Sequence, residues 1–490
     1  MYLKALVLAS GVVFTYLLSS VVLFLFAARL MKLEKEEASW YFFLFIGLGP
    51  VTISWLLTQA LKFFPHRPDV FYILFVMSFF AAAFLFGWSK RYLVTFLLKN
   101  AFSKAKSFRV TEHWPEIVLS IIVIIMLGSI IVPAGLMPVT ENDATQYATI
   151  SRLIYAHKTL SIYPFVKADP QTGFYEIGAH PLGYNSMITW SYMLQGGAHQ
   201  LGLGKLVSPA YVVYTALLLW YVLLGRGSAY SVIGVILLLA APIYSWGSVL
   251  LGIDSFRVFT FFLSFVSLYG LIRSKSARDV AITGYCCAMS TYSHALGLIT
   301  LPFLAAVYMA PALLGKMNRR ELYKKMIHLL VIAVITFAIA GDRYMENIKL
   351  FGYPVYDTLK VNQLKELRHE EFQLYENNMT GIWGRIKYGE FNGFSKYDSY
   401  GITYWVFLAG LLLFLKKREK DPQFEVFLWA ILLWHVMVAV TIVANSYMFV
   451  TSDRYFQTIQ PFVAYGGALA LGYYYERFIG PNWIKPGISA

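Results

Sequence analysis

Charge is scarce in this chain, and cysteine is scarcer still. Only 14% of the 490 residues are Asp, Glu, Lys or Arg, against roughly a quarter in ordinary soluble domains. A conventional water-facing surface is therefore excluded over most of the length. The two cysteines, Cys286 and Cys287, are adjacent and sit inside an apolar run, so neither a disulfide framework nor a cysteine-based metal knot is expected. No Gly-x-x-x-x-Gly-Lys-[Ser/Thr] loop occurs, which removes the usual signature of a nucleotide-phosphate cradle. The net charge of +14 would suit nucleic acid, but the basic residues fall in short segments between apolar runs. That pattern is topogenic, and no nucleic-acid partner is expected.

Hydrophobicity is what the chain has in excess, at 58% of residues. Runs such as "ALVLASGVVFTYLLSSVVLFLFAARL" (5–30), "EIVLSIIVIIMLGSIIVPAGLM" (116–137) and "SVIGVILLLAAPIYSWG" (231–247) approach the ~20 residues that cross a bilayer. The first is too long for a cleavable signal peptide and lacks a small-residue cleavage site, so it is read as a span. The expected fold is an all-α polytopic membrane protein with about 13 transmembrane helices. They lie near 5–28, 41–61, 70–88, 116–137, 208–224, 228–246, 256–272, 279–293, 298–314, 327–341, 402–415, 424–444 and 461–476. Two long loops, 138–205 and 342–400, carry interfacial helices.

Alternation of positive charge tests that count. One set of short loops holds 24 of the 41 Lys and Arg, and the opposite set holds five: Lys4, Lys62, Arg67, Arg257 and Arg454. The remaining twelve lie in the two long loops, where the rule has little force. The basic face is thus expected to be cytoplasmic, with the N-terminus outside, the C-terminus inside and both long loops external. An inner or plasma membrane with an external, periplasmic site is the expected setting. Residues 1–110 read as an N-terminal three-helix module, 111–480 as the transmembrane core and 481–490 as a cytoplasmic tail.

On this topology the ionisable residues gather at the external border. Glu141 and Asp143 follow the fourth span in "PVTENDATQYATISR". Glu176 and His180 stand in "FYEIGAHPLGYNS", Asp254 and Arg257 in "LGIDSFRVF", and His294 in "STYSHALG". Asp342 and Arg343 open the second long loop, and Arg454 follows Asp453 in "VTSDRYF". Charges at a membrane border are costly unless paired or solvated, so they mark a functional cavity by default. A carboxylate there has the chemistry to take a proton from an alcohol. A guanidinium has the forked donors that hold a phosphate.

Each residue also has a plainer reading. Asp143 suits the N-cap of the following helix, with Gln146 closing a capping box. That helix has apolar positions at Tyr147, Ile150, Leu153 and Ile154, and is expected to lie in the interface. Glu176 and His180 have i,i+4 metal spacing, yet Pro181 biases His180 away from helix and suits it as a cap. Asp254 is a ready partner for Arg257. Arg343, Arg454, Lys158 and Arg152 have ordinary interfacial snorkelling as their alternative. The stretch 356–378 reads as a charged surface helix.

Four stretches and a closing motif carry a resemblance. "ENDATQYATISRLIYAHKTLSIYPF", "HPLGYNSMITW", "IDSFRVFTFFLSFVSLYGL", "RYMENIKLFGYPVYDT" and the late "RYFQTIQPFVAYGGALALG" together resemble the GT-C superfamily of integral-membrane glycosyltransferases, over residues 116–480. That group includes protein O-mannosyltransferases and the aminoarabinose transferases that modify lipid A. Three features depart from the pattern: the three preceding spans, Tyr353 where the family has Asn, and an acidic pair spread as Glu-Asn-Asp.

The resemblance implies an enzyme that moves a sugar from a polyprenyl-phosphate donor to a lipid, glycan or protein hydroxyl, with inversion. Asp143, Glu141 and Asp254 are the expected catalytic acids, and Arg454, Arg343, Arg257 and Lys158 the expected donor-phosphate ligands. A divalent metal, Mg or Mn, would fall to Glu176, His180 and His294. Membrane lipids are the remaining expected partners. The alternative readings are a glycolipid transporter or flippase, and a polysaccharide ligase or polymerase.

Overall fold

A computed structural model describes residues 2–106, 114–137, 142–161, 181–198, 203–249, 252–313, 317–352, 401–417, 421–443 and 453–478, with the single positions 139, 201 and 354. Every regular element among them is helical. In chain order these are α1 (Tyr2–Leu30), α2 (Lys35–Phe45), α3 (Leu48–Phe63), α4 (Asp69–Gly87), α5 (Arg91–Lys106), α6 (Trp114–Leu136), α7 (Asn142–His157), α8 (Gly183–Gln195) and α9 (Val207–Leu224). Then follow α10 (Ser228–Leu239), α11 (Pro242–Val249), α12 (Asp254–Ser274), α13 (Ala277–Ser293), α14 (Thr300–Leu313), α15 (Arg319–Phe351), α16 (Thr403–Lys417), α17 (Pro422–Val443) and α18 (Gln460–Phe478). Short 3-10 turns at Ala295–Ile299 and Asp453–Ile459 precede α14 and α18.

Among the described residues eight helices are long and apolar enough to cross a bilayer, or up to ten if each bent pair is one span. Their outer faces are bare hydrocarbon: Leu74, Leu85, Ile124, Ile125, Leu330, Val334 and Val440 are all exposed. In water such a surface would drive aggregation. Around a helical bundle with the backbone bonds satisfied internally it is the lipid-facing belt of an integral membrane protein. Ten of the thirteen expected spans fall on these helices or bent pairs; those at 279–293, 402–415 and 461–476 fall on α13, α16 and α18, which lie outside that set.

Two expected spans are broken. The 41–61 segment is α2 and α3, bent by 55°, and Gly47 at the break has φ 79°. A Cβ on Gly47 would lie 2.7 Å from the Phe259 ring, so both backbone conformation and space require glycine there. The 228–246 segment is α10 and α11, bent by 66°. Its break precedes Pro242, which lacks the N–H that a continuous helix would need.

Helix α12 is the axis of the bundle, in contact with α9, α13, α14, α17 and the Asp453–Ile459 turn. Its Phe261, Phe262 and Phe265 meet Trp434 and Phe462 edge-on at ring separations of 5.2–6.0 Å. This is the arrangement aromatic quadrupoles favour. The N-terminal helices are knitted into the core: α3 packs on α8, and Trp55 Nε1 donates to the Ile339 carbonyl at 2.9 Å.

Polar contacts sort to two ends. At the first, Lys90 donates to the Leu33 carbonyl, Glu37 pairs with Arg278, and Lys275 with Glu321. Arg226 bonds Asp421 at 2.7 Å there. Trp40 of α2 packs between Tyr221 of α9 and Tyr269 of α12 at the same end. These are the loops that the charge count groups together as the basic face.

Candidate functional site

At the opposite end the start of α8 is tied by hydroxyl groups to the second half of α3 and the end of α13. Ser54 Oγ donates to the Gly183 carbonyl at 2.6 Å. Thr58 Oγ1 lies 2.8 Å from Ser186 Oγ and 2.7 Å from the Tyr292 hydroxyl, while Ser54 Oγ lies 3.2 Å from that same hydroxyl. All four side chains are buried, and they join α3, α8 and α13. A Cβ on Gly183 would stand 2.8 Å from the Tyr292 carbonyl oxygen, so the start of α8 approaches α13 as closely as only glycine permits.

A second chain of contacts joins α7 to α12. Asn185 Nδ2 donates to the Tyr147 carbonyl at 3.1 Å, and the Tyr147 and Tyr184 rings meet edge-on. The Tyr184 hydroxyl and Ser208 Oγ are 2.7 Å apart. Ser208 Oγ donates to the Gly252 carbonyl at 2.6 Å, and Ser255 Oγ donates back to the Ser208 carbonyl at 2.9 Å. One turn before Tyr147 is Asp143, and Asp254 lies between Gly252 and Ser255. The two candidate acids are thus carried on helix starts that share one hydrogen-bonded lattice.

Helix α7 begins at Asn142, two residues earlier than the cap reading requires. Asp143 accordingly sits half-buried inside the first turn, where the helix dipole favours a carboxylate. Tyr147, Ile150 and Ile154 are buried, on a face covered by α8. Glu141 lies outside the described residues, as do Glu176 and His180. Helix α8 starts at Gly183 after Leu182, two residues later than the Pro181 start expected from sequence.

Asp254 and Arg257 bond each other at 2.7 Å across one turn of α12, and both are buried, Arg257 to 1% exposure. Arg343 bonds Glu346 at 2.8 Å and is also buried. Lys158 is turned to Asp69 at 2.6 Å, with its ammonium over the Tyr155 ring. Burial holds that ammonium below the usual lysine range, and Asp69 offsets only part of the effect. The Asp453–Ile459 turn brings Arg454 to the same end, since Gln457 Nε2 donates to the Ile243 carbonyl at 3.2 Å. The Arg454 side chain is outside the described residues. Arg152 is exposed on α7.

His294 is buried, and its Nδ1 accepts the Leu296 N–H at 3.0 Å. An accepting Nδ1 leaves the ring proton on Nε2. Its carbonyl and that of Thr291 accept from the Tyr344 hydroxyl. Among the described residues no group of three or more His, Cys, Asp or Glu could hold a metal ion, so they do not supply the set a divalent metal would need. Cys286 and Cys287 are buried free thiols.

The hydroxyl lattice was missed in the sequence. Its signal was Ser54 and Thr58 at i,i+4 within an apolar run, a spacing that stacks them on one face of a helix. No protein-family model matches the chain, and no curated protein matches it in sequence.

Proposed function

We propose that the protein is a membrane glycosyltransferase that moves a sugar from a polyprenyl-phosphate donor to a hydroxyl acceptor at the non-basic end of the bundle. The observation that supports this reading is the lattice linking the α7 and α12 starts, which gathers Asp143 and the buried Asp254–Arg257 pair at one end. Asp143, half-buried and in a favourable dipole, takes the acceptor's proton as the acceptor oxygen attacks the sugar's anomeric carbon. The bond from that carbon to the phosphate oxygen breaks, and polyprenyl phosphate leaves with the bonding electrons. Its negative charge needs a cation. Arg454 fills that role, because Lys158 is committed to Asp69, Arg343 to Glu346 and Arg257 to Asp254.

The test is release of labelled sugar from a polyprenyl-phosphate monosaccharide by purified protein. Asp143→Asn is expected to lower turnover by ~10²-fold or more, the usual worth of a positioned general base. Turnover unchanged in both Asp143→Asn and Asp254→Asn would refute the assignment.

The two bent helix pairs favour a second reading, a glycolipid transporter, because transporters bind substrate at broken helices. Appearance of chemically unaltered glycolipid in the opposite leaflet of a proteoliposome, with no sugar release, would select it.

A further inference from the structure

Away from this lattice, a crevice of about 280 Å³ opens between the N-terminal helices and the core. Leu23, Ala27 and Leu30 of α1, Phe45 of α2, Phe79 of α4 and Ala281 of α13 form its walls. Leu30, Phe79 and Ala281 are exposed, so the crevice opens sideways into the lipid-facing belt. Its volume sits near the lower end of the ~300–1,000 Å³ range of small-molecule pockets, enough for one chain and not for a whole diacyl lipid. From Leu23 to Met31 it follows α1 for about 12 Å at 1.5 Å per residue, most of the ~15 Å hydrocarbon depth of one leaflet.

The polar side chains in the wall are Thr52, Trp55 and Tyr285, and each is already bonded within the protein. Thr52 Oγ1 donates to the Leu48 carbonyl and lies 2.5 Å from the Tyr285 hydroxyl. Trp55 Nε1 donates to the Ile339 carbonyl. A polar ligand would find no partner there, whereas hydrocarbon would lose none. Hydrocarbon leaving a bilayer gains nothing from water, however, so shape and a charged anchor must hold it. The anchor is at the basic end. Arg29 and Lys32 flank the lining residues Leu30 and Met31, and both are exposed.

We propose that this crevice is a binding site for one acyl chain of an anionic phospholipid from the basic-side leaflet, with its phosphate held by Arg29 and Lys32. The site is separate from the hydroxyl lattice and does not depend on what that lattice does.

Native mass spectrometry of the full-length protein, equilibrated with equal dioleoyl-phosphatidylglycerol and dioleoyl-phosphatidylcholine, tests it. The protein is expected to retain one phosphatidylglycerol. Ala281→Trp, which fills the crevice from an exposed position, should lower that adduct at least tenfold. The double variant Arg29→Gln, Lys32→Gln should lower the preference for phosphatidylglycerol by roughly thirtyfold, from two cations near an anionic surface. Equal retention of the two lipids by the unaltered protein would overturn the proposal, as would an intact adduct in Ala281→Trp. Displacement of the lipid by an equimolar polyprenyl phosphate would also overturn it. Should Ala281→Trp give no folded protein, an unchanged preference in the double variant overturns it alone.

Discussion

The two ends of the bundle use polar groups differently. At the basic end, charges bridge separate helices: Arg278 reaches Glu37 across α13 and α2, and Arg226 reaches Asp421 between the α9–α10 turn and α17. Asp421 also accepts the N–H groups of Gln423 and Phe424 and a bond from the Tyr465 hydroxyl. At the other end the pairs Lys62–Asp342 and Lys158–Asp69 also cross between helices nearer the surface, but in the interior neutral hydroxyls do the bridging, and the most buried ion pair among the described residues, Asp254–Arg257, joins two positions of one helix. Hydroxyls are the cheaper fastener in a dry interior, because an imperfect neutral bond forfeits far less than an unpaired charge. A buried ion pair within one helix is therefore poorly explained by architecture alone, and becomes the natural place to look for chemistry.

Three substitutions separate these roles. Asp254→Asn has the largest expected effect: it leaves Arg257 buried beside a neutral amide, at a cost of about 3 kcal/mol, and it lowers sugar release as well. Thermal melting in detergent, run beside the turnover assay, would read both. Asp421→Asn removes a charge whose partner is partly exposed and keeps an amide oxygen for the two N–H groups. A loss of about 1–2 kcal/mol is expected, with turnover per folded molecule unchanged. Equal turnover losses in the two variants would erase the distinction between the ends. Smallest is Lys62→Ala, which breaks the exposed bridge to Asp342. Its effect on the melting midpoint should correspond to less than ~1 kcal/mol.

Span positions were legible because a stretch of apolar residues has one solution in a bilayer. The breaks were not read, although Gly47 and Pro242 announce them. Hydropathy sums over a window and is blind to a backbone that turns inside it. Asp143 and Asp254 were found because charge beside an apolar run is conspicuous. Ser54, Thr58, Ser186 and Tyr292 were passed over because each is unremarkable alone, and only packing brings them within 3.2 Å of one another. Likewise, Lys158 and Asp69 are far apart in sequence, and their pairing depends on the fold of α4 against the end of α7.

Helix α15 has a geometric consequence of its own. Between Lys325 and Asp342 it carries no acidic or basic residue apart from His328, and it then continues as unbroken helix to Phe351 before Gly352 ends it at φ 78°. The nine residues from Arg343 onward add about 13 Å of rigid rod beyond the first acidic group. The chain thus departs along a mast of fixed height and bearing. One extra residue after Asn347 would swing its tip by about 100° while the Tyr344 bonds to the Thr291 and His294 carbonyls stay in place.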